Sequence, residues 1–133
     1  MFNSLTTSFL KRALVAIFAT VLSATSLWAE TRLMMAEEPG CIWCARWHAE
    51  IGPIYPKTAE GAAAPLLRVN LQDPIPSDIT LERSVNFTPT FILLVDGVEK
   101  SRIEGYPSED FFWELLGYML DQEGIDFALK SNN

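Results

Sequence analysis

The apolar run at residues 91–95 constrains the fold more than any other segment of the chain. Five apolar residues in succession are typical of a strand that is buried on both faces and therefore lies in the middle of its sheet. Asp96 and Gly97 follow the run directly, and this dipeptide strongly favours a two-residue hairpin turn. The sequence therefore predicts that Val98–Glu104 returns as an antiparallel strand.

Two more strands and a helix are predicted before this hairpin. Residues 32–36 and 66–71 are short apolar-rich runs bounded by turn residues, a pattern typical of strands. Residues 41–51 carry apolar side chains at helical spacing, and Pro53 ends or kinks the predicted helix. The apolar stripe of this helix consists of Trp43, Trp47 and Ile51. Residues 57–65 are predicted to be a connection rich in small residues.

A last helix is predicted from a cap at Ser108 to about Leu120, and a short helix capped by Ser77 or Asp78 is predicted to end at Arg83. The apolar face of the last helix is expected to contain Phe112, Leu115, Leu116 and Met119. A β-α-β unit followed by a hairpin and a covering helix makes an α/β domain. Its predicted core is a four-stranded mixed sheet flanked by helices.

Composition excludes several classes of function. The chain has 133 residues, of which 49% are hydrophobic and 20% charged, and its formal net charge is −7. A disordered chain would be poorer in apolar residues. The sequence has no cluster of Lys and Arg to neutralise phosphates, which excludes nucleic acid and anionic membrane surfaces as partners. The length is that of one domain, which we expect to be a monomer.

Residues 1–29 have the features of a secretory signal peptide. Lys11 and Arg12 precede an apolar run over residues 13–22, and small and polar residues follow at positions 23–26, before the first acid at Glu30. The run is shorter than the roughly 20 residues of a membrane-spanning helix, and an uncleaved anchor is the alternative. We expect an exported, periplasmic domain over residues 30–133. Its formal net charge is −9, because residues 1–29 contain Lys11 and Arg12 but no acidic residue.

The only two cysteines, Cys41 and Cys44, lie where the first predicted strand passes into the first predicted helix. A thiol at a helix N-terminus faces unpaired backbone N–H groups, which stabilise its thiolate. A thiol three residues further on is close enough to form a disulfide with it. The pattern predicts a redox pair in which Cys41 attacks a disulfide and Cys44 resolves the mixed disulfide, with Ile42 and Trp43 contacting the substrate.

Two other interpretations of the pair remain open, namely a static structural disulfide and a metal-binding pair. Ala45 rather than His follows Cys44, so the pattern for c-type haem attachment is absent. His48 is a candidate third zinc ligand, but the sequence holds no fourth Cys or His. We therefore predict no metal and no cofactor, and we expect His48 to be a partly exposed helix residue that tunes the thiols at most.

Thr88 and Pro89 stand immediately before the buried strand. Proline donates no hydrogen bond to a sheet, and an X-Pro bond is the one place where a cis peptide costs little. A cis Thr88–Pro89 bond beside the cysteines would leave the backbone of Thr88 free to hold an extended substrate. A trans proline that merely begins the strand is the alternative.

These motifs together resemble the thioredoxin family over nearly the whole of residues 30–133. The resemblance rests on the segments 40–44, 88–91 and 96–97 and on Gly105. It implies a minimal thioredoxin-like fold that lacks the N-terminal strand-helix unit of thioredoxin, with a cis Pro89, a nucleophilic Cys41 and a resolving Cys44. Three further segments are similar to the periplasmic SoxS proteins of sulfur-oxidation systems, namely residues 43–50, 52–58 and 102–107.

The chain also departs from the thioredoxin pattern. Met35 occupies the position of the buried Asp that helps to deprotonate the resolving thiol, so Glu37 or Glu38 would have to replace it. Trp43 offers no positive charge to a Cys41 thiolate, and the two glutamates disfavour a second negative charge nearby. These differences indicate a reductant rather than an oxidant.

The leading hypothesis is therefore an exported thiol–disulfide oxidoreductase that reduces specific proteins. The SoxS resemblance implies that the substrate is the cysteine of a sulfur-carrier protein of the SoxYZ type. An oxidase or isomerase of folding proteins is the alternative among enzymes, and a binding protein with a static disulfide is the alternative outside them. The sequence contains no nucleotide-binding motif, so we expect the electrons to come from a membrane thiol-reductant donor.

Overall fold

The computed structural model describes residues 29–127, which form one four-stranded mixed sheet with helices beside it. The predicted signal peptide lies, except for its last residue, outside the described residues. The strands are β1 (Thr31–Glu37), β2 (Leu66–Asn70), β3 (Thr90–Val95) and β4 (Val98–Glu104). The helices are α1 (Ile42–Glu50), α2 (Ala59–Ala63) and α3 (Glu109–Gln122), with a 3-10 turn at Tyr55–Lys57. None of the helices in this part of the chain is long and apolar enough to cross a membrane.

The strand order is β2-β1-β3-β4, which makes β1 and β3 the central strands. β1 runs parallel to β2 and antiparallel to β3, with Ala36 opposite Thr90. β3 and β4 are joined at Asp96 and Gly97, which both have positive φ (51° and 76°), as a tight two-residue hairpin requires. The predicted central strand, the hairpin and the mixed sheet are all confirmed.

The main core lies between the sheet and helices α1 and α3. Trp47 of α1 is fully buried, and its ring centroid lies 5.3 Å from that of Phe91 and 5.6 Å from that of Phe112. Phe112 of α3 in turn lies 4.9 Å from Phe91 of β3. This aromatic cluster fixes α1 against the sheet, and therefore fixes the cysteines at the start of α1.

The opposite face of the sheet is covered by residues 71–87, which contain no helix. The prediction of a short helix that ends at Arg83 is therefore wrong. Thr80 instead pairs with the hairpin, since its N–H donates to Gly97 and its carbonyl accepts from Glu99. These two hydrogen bonds hold the backbone extended and place Ile79 against the sheet, where it is buried.

Three local predictions also need correction. Residues 59–63, predicted to be part of a connection, form the short helix α2, capped by the hydroxyl of Thr58. Ser108 stands at the N-cap of α3, but its side chain makes no capping hydrogen bond. Trp43 and Leu115, which the sequence places on the apolar faces of their helices, are 48% and 38% exposed.

Candidate active site

The two cysteines lie at the junction of β1 and α1, as the sequence predicts. Gly40, with φ of 82°, turns the chain after β1 so that Cys41 becomes the N-cap residue of α1. The Sγ atom of Cys41 accepts a hydrogen bond of 3.1 Å from the backbone N–H of Cys44. The two sulfurs form a disulfide, with the Cα atoms 5.2 Å apart. The helix N-terminus thus directs an N–H group at the first sulfur.

The two cysteines differ in their exposure to solvent. Cys44 is only 3% exposed and belongs to the main core, whereas Cys41 is partly exposed. The intervening side chains, Ile42 and Trp43, are 73% and 48% exposed. A substrate that approaches this end of α1 therefore meets Cys41 together with two exposed apolar side chains.

The Thr88–Pro89 loop lies at the same end of the sheet, because it precedes β3 just as the cysteine turn follows β1. The Thr88–Pro89 peptide bond is cis, and Pro89 is buried. The carbonyl of Pro89 accepts a hydrogen bond of 2.7 Å from the N–H of Gly105. Within residues 29–127, the backbone N–H and C=O of Thr88 make no hydrogen bond. Both groups are therefore free to pair with an extended chain.

Glu37 forms two strong polar contacts beside the cysteine turn. Its carboxylate lies 2.6 Å from Nε2 of His48 and accepts a 2.6 Å hydrogen bond from Nε of Arg68. Partial burial tends to raise the pKa of Glu37, but the hydrogen bonds from Arg68 and His48 outweigh it and lower that pKa. The negative charge of Glu37 is therefore balanced locally, which the sequence did not reveal.

Glu38, unlike Glu37, has no cationic partner, since it forms no ion pair within the described part of the chain. Its side chain accepts a 3.0 Å hydrogen bond from the hydroxyl of Thr88, and its carbonyl accepts a 3.3 Å bond from the N–H of Cys41. Met35 is fully buried in the core. No acid occupies that position, and Glu38 is joined to the cysteine turn through its backbone carbonyl while its carboxylate binds Thr88.

A second polar network, formed by Arg46, Glu50 and Tyr106, was not predicted from the sequence. Arg46 donates a 2.9 Å hydrogen bond to Glu50, and its guanidinium carbon lies 5.8 Å from the ring centroid of Trp43 and 6.0 Å from that of Tyr106. The hydroxyl of Tyr106 donates a 2.6 Å bond to Glu50. Burial and this bond raise the pKa of Tyr106, and the bonds from Tyr106 and Arg46 lower that of Glu50.

This network joins α1 to the loop at residues 105–107. The i, i+4 spacing of Arg46 and Glu50 indicates their ion pair, but no local pattern indicates a partner for Tyr106. His48, a candidate zinc ligand from the sequence, is hydrogen-bonded to Glu37 instead. Among residues 29–127, no group of three His, Cys, Asp or Glu side chains is arranged to hold a metal ion.

Comparison with known proteins supports a family assignment. The chain is 54% identical to the periplasmic thioredoxin SoxS from Paracoccus pantotrophus, with a TM-score of 0.69, and the match covers 71% of this chain and 99% of that one. It also matches a thioredoxin from Malassezia sympodialis at 16% identity, with a TM-score of 0.47 and coverage of 68% and 75%. At that TM-score the second match adds nothing to the assignment.

Neither a protein-family model nor a curated protein sequence matches the chain. The match to SoxS, together with the two cysteines at the start of α1, is sufficient to decide the family. The resemblance to SoxS inferred from the sequence is confirmed. The chain belongs to the thioredoxin family, and it is a thiol–disulfide oxidoreductase.

Proposed function

We propose that this protein is an exported reductase that returns a cysteine of a specific partner protein to its thiol state. The observation that carries this proposal is the unequal exposure of the two cysteines. Cys41 is partly exposed and receives an N–H hydrogen bond at the helix N-terminus, while Cys44 is buried behind it. Such an arrangement suits Cys41 as the attacking thiolate and Cys44 as the resolving thiol.

The reaction proceeds from the dithiol form in two exchanges. The Cys41 thiolate attacks one sulfur of the substrate disulfide, forming a mixed disulfide and releasing the other substrate sulfur as a thiolate, which takes up a proton. The Cys44 thiolate then attacks the Cys41 sulfur and releases the second substrate thiol. Two electrons pass to the substrate, and the protein is left with the Cys41–Cys44 disulfide seen in the structure.

Four residues are proposed to hold the substrate during these exchanges. The free backbone N–H and C=O of Thr88 pair with an extended segment of the partner, and Pro89 shapes the loop that presents them. Ile42 and Trp43 provide exposed apolar contact on the other side of Cys41. These contacts favour a protein substrate over a small disulfide, because they extend well beyond the reacting sulfurs.

The direction of exchange is inferred from the charges around Cys41. Trp43 supplies no cation, Arg46 is paired with Glu50, and Arg68 is paired with Glu37. Glu38, which is uncompensated within the described residues, disfavours a thiolate at Cys41. A reductant results when the thiolate, and with it the reduced form, is not strongly stabilised.

The finer assignments extend from the SoxS resemblance. We infer that residues 1–29 direct export and that the protein acts in the periplasm on a SoxYZ-type sulfur carrier. The oxidising surroundings there require a membrane thiol donor to regenerate the dithiol. The neighbour with 54% identity is itself described as a periplasmic thioredoxin, which supports the proposed location.

The proposal is tested by trapping the substrate in cells. Cys44→Ser leaves Cys41 able to attack but removes the resolving thiol, so the partner accumulates as a mixed disulfide that a reductant releases. Cys41→Ser is the matched control and should trap nothing. Recovery of one or a few periplasmic proteins is expected, whereas recovery of many unrelated proteins would count against a dedicated reductase.

A redox titration of the full chain tests the direction. We expect a reduction potential of about −270 mV, as for reducing thioredoxins, and a value of about −120 mV would make the protein an oxidase of folding proteins instead. A pair that does not exchange with dithiothreitol at all would indicate a static disulfide. N-terminal sequencing of the periplasmic protein tests the predicted cleavage after Ala29.

A further inference from the structure

A cavity of about 500 Å³ lies on the face of the sheet opposite to helices α1 and α3. It is formed by residues 71–85 of the segment that covers this face, and neither cysteine is among its lining residues. Ligand-binding cavities in proteins typically have volumes of about 300–1,000 Å³. The cavity is therefore distinct from the active site and large enough to hold a small organic molecule.

The lining of the cavity is mostly aliphatic. Its aliphatic side chains, which pack on the apolar residues of this sheet face, are Leu71, Ile75, Ile79, Leu81 and Val85. Ile79 is buried, whereas the other four side chains are only partly buried. The segment thus leaves apolar surface uncovered at the cavity, and an apolar ligand that covered this surface would remove it from water.

The cavity exists without a ligand, because the backbone of its wall is anchored to β4. Arg102 donates hydrogen bonds to the carbonyls of Arg83 (2.9 Å) and Ser84 (3.2 Å). The carboxylate of Glu99 accepts a 2.8 Å hydrogen bond from the N–H of Glu82. Glu99 and Arg102 also pair with each other, and their side chains are only 1% and 5% exposed. This buried ion pair holds residues 82–84 in place, as in a preformed ligand site.

The charges at the cavity favour a cation. Asp73 and Arg83 are its charged lining residues. Arg83 donates a 2.7 Å hydrogen bond to Glu104, so its charge is already balanced. The exposed carboxylate of Asp73 has no ion pair or hydrogen bond with any side chain among residues 29–127. The net charge of −7 on the whole chain also attracts cations rather than anions.

We propose that this cavity binds a small organic ammonium ion, whose positive group pairs with Asp73 and whose apolar body contacts the aliphatic lining. The unbalanced charge of Asp73 is the reason for choosing a cation, and the volume of the cavity is the reason for choosing a small molecule. The inference goes beyond the proposed reductase function and does not depend on it, because the cavity shares no residue with the redox site. A second copy of this chain is the competing occupant.

The test is a titration of the full-length protein with three probes, followed through the NMR shifts of the backbone amides. Hexylammonium should cause saturable shifts that are largest in residues 71–87. It should bind about fivefold more tightly than hexanol, which lacks the charge, since an exposed ion pair contributes up to about that factor. Ethylammonium, which lacks most of the apolar body, should bind at least about tenfold more weakly than hexylammonium.

Two variants separate the ion pair from general electrostatics. Asp73→Asn should lower the ratio of the hexylammonium affinity to the hexanol affinity to about one and leave the hexanol affinity unchanged. Asp121→Asn is the matched control, because Asp121 is exposed on α3 and does not line the cavity. Its ratio should remain about fivefold, and an equal loss in both variants would overturn the pairing with Asp73.

Other outcomes of the titration would also overturn the inference. Equal affinities of the wild type for hexylammonium and hexanol would exclude a cation site, and shifts that are largest outside residues 71–87 would exclude this cavity. Sedimentation of the wild type and Ile75→Ser decides the competing occupant. A dimer that Ile75→Ser dissociates would assign the cavity to self-association. None of these results depends on thiol–disulfide exchange, so each leaves the reductase proposal standing.

Discussion

The carboxylate of Glu38 accepts a hydrogen bond of 3.0 Å from the hydroxyl of Thr88, which joins the two loops of the active site across 50 residues of sequence. The carbonyl of Glu38 also accepts the N–H of Cys41. One residue therefore contacts both the turn that carries the attacking sulfur and the loop proposed to hold the substrate. The distance between those loops depends on this contact as well as on the pairing of β1 with β3.

Removing the bond should weaken binding of the protein substrate more than it slows the chemistry. Thr88→Val keeps the shape of the side chain but deletes the donor, and a single hydrogen bond contributes about 1 kcal/mol. We expect KM for the protein substrate to rise about three- to sixfold with kcat little changed. Steady-state kinetics measures both constants, and a fall in kcat at unchanged KM would contradict a positioning role for this bond.

Glu38→Gln tests the negative charge of Glu38 separately from its hydrogen bond to Thr88. The Gln carbonyl still accepts from Thr88, so KM should stay near the wild-type value, while the negative charge beside Cys41 is lost. The thiolate at Cys41 then forms more readily, and the pH midpoint for alkylation of the reduced protein by iodoacetamide should move downwards. An unchanged midpoint would show that the charge of Glu38 does not influence Cys41, and would weaken the inferred direction of exchange.

The buried ion pair of Glu99 and Arg102 should contribute strongly to stability. Their side chains are 1% and 5% exposed, and Arg102 also donates hydrogen bonds to the carbonyls of Arg83 and Ser84. Glu99→Ala leaves the guanidinium buried without its partner, which costs about 3 kcal/mol of the free energy of unfolding. Urea unfolding measures this cost. Glu104→Ala, whose carboxylate is more exposed, is the control and should cost less than about 1 kcal/mol.

Acid should destabilise the protein partly through Glu99. Burial tends to raise the pKa of Glu99, but hydrogen bonds from Arg102 and the N–H of Glu82 outweigh it and hold the pKa below the ordinary 4.5. The folded state therefore favours the ionised form. The resulting stability is fully present above about pH 5 and is lost as the pH falls through the folded-state pKa. Glu99→Gln should show a lower free energy of unfolding at pH 7 and a shallower decline below pH 5; parallel curves would contradict this.

The limits of prediction from sequence follow from the range of the interactions. The 91–95 strand, the Asp96-Gly97 turn and the cysteine motif depend on neighbouring residues, and all three are found where expected. The Glu38–Thr88 bond depends on the register between β1 and β3, which no local pattern specifies. Residues 71–87 cover the second face of the sheet in an extended conformation. The alternation of Ile79 and Leu81 is consistent with this, but the nearby capping residues favour a helix.

The Arg46 network shows a different limit. The i, i+4 spacing of Arg46 and Glu50 indicates their ion pair. Tyr106, which also binds Glu50, lies 56 residues further along the chain. The same long-range packing leaves Leu115 38% exposed although it has the helical position of a core residue. Sequence patterns identify the redox pair, whereas contacts such as the one between Tyr106 and Glu50 emerge only when the loops and helices are placed together.

Gly97 should be the least replaceable of the glycines with positive φ. Its φ is 76°, and a Cβ atom there would lie 2.2 Å from the carbonyl oxygen of Asp78, a backbone atom that must move to relieve the clash. Gly124 has φ of 65° but no atom within 4 Å of the corresponding position. Gly124→Ala therefore suffers only the left-handed conformation, about 1 kcal/mol. Gly97→Ala adds the clash and should lose about 3 kcal/mol or more. Thermal and urea unfolding of the two variants measures the difference. Equal losses in the free energy of unfolding would show that the backbone of residues 71–87 can shift to relieve the clash.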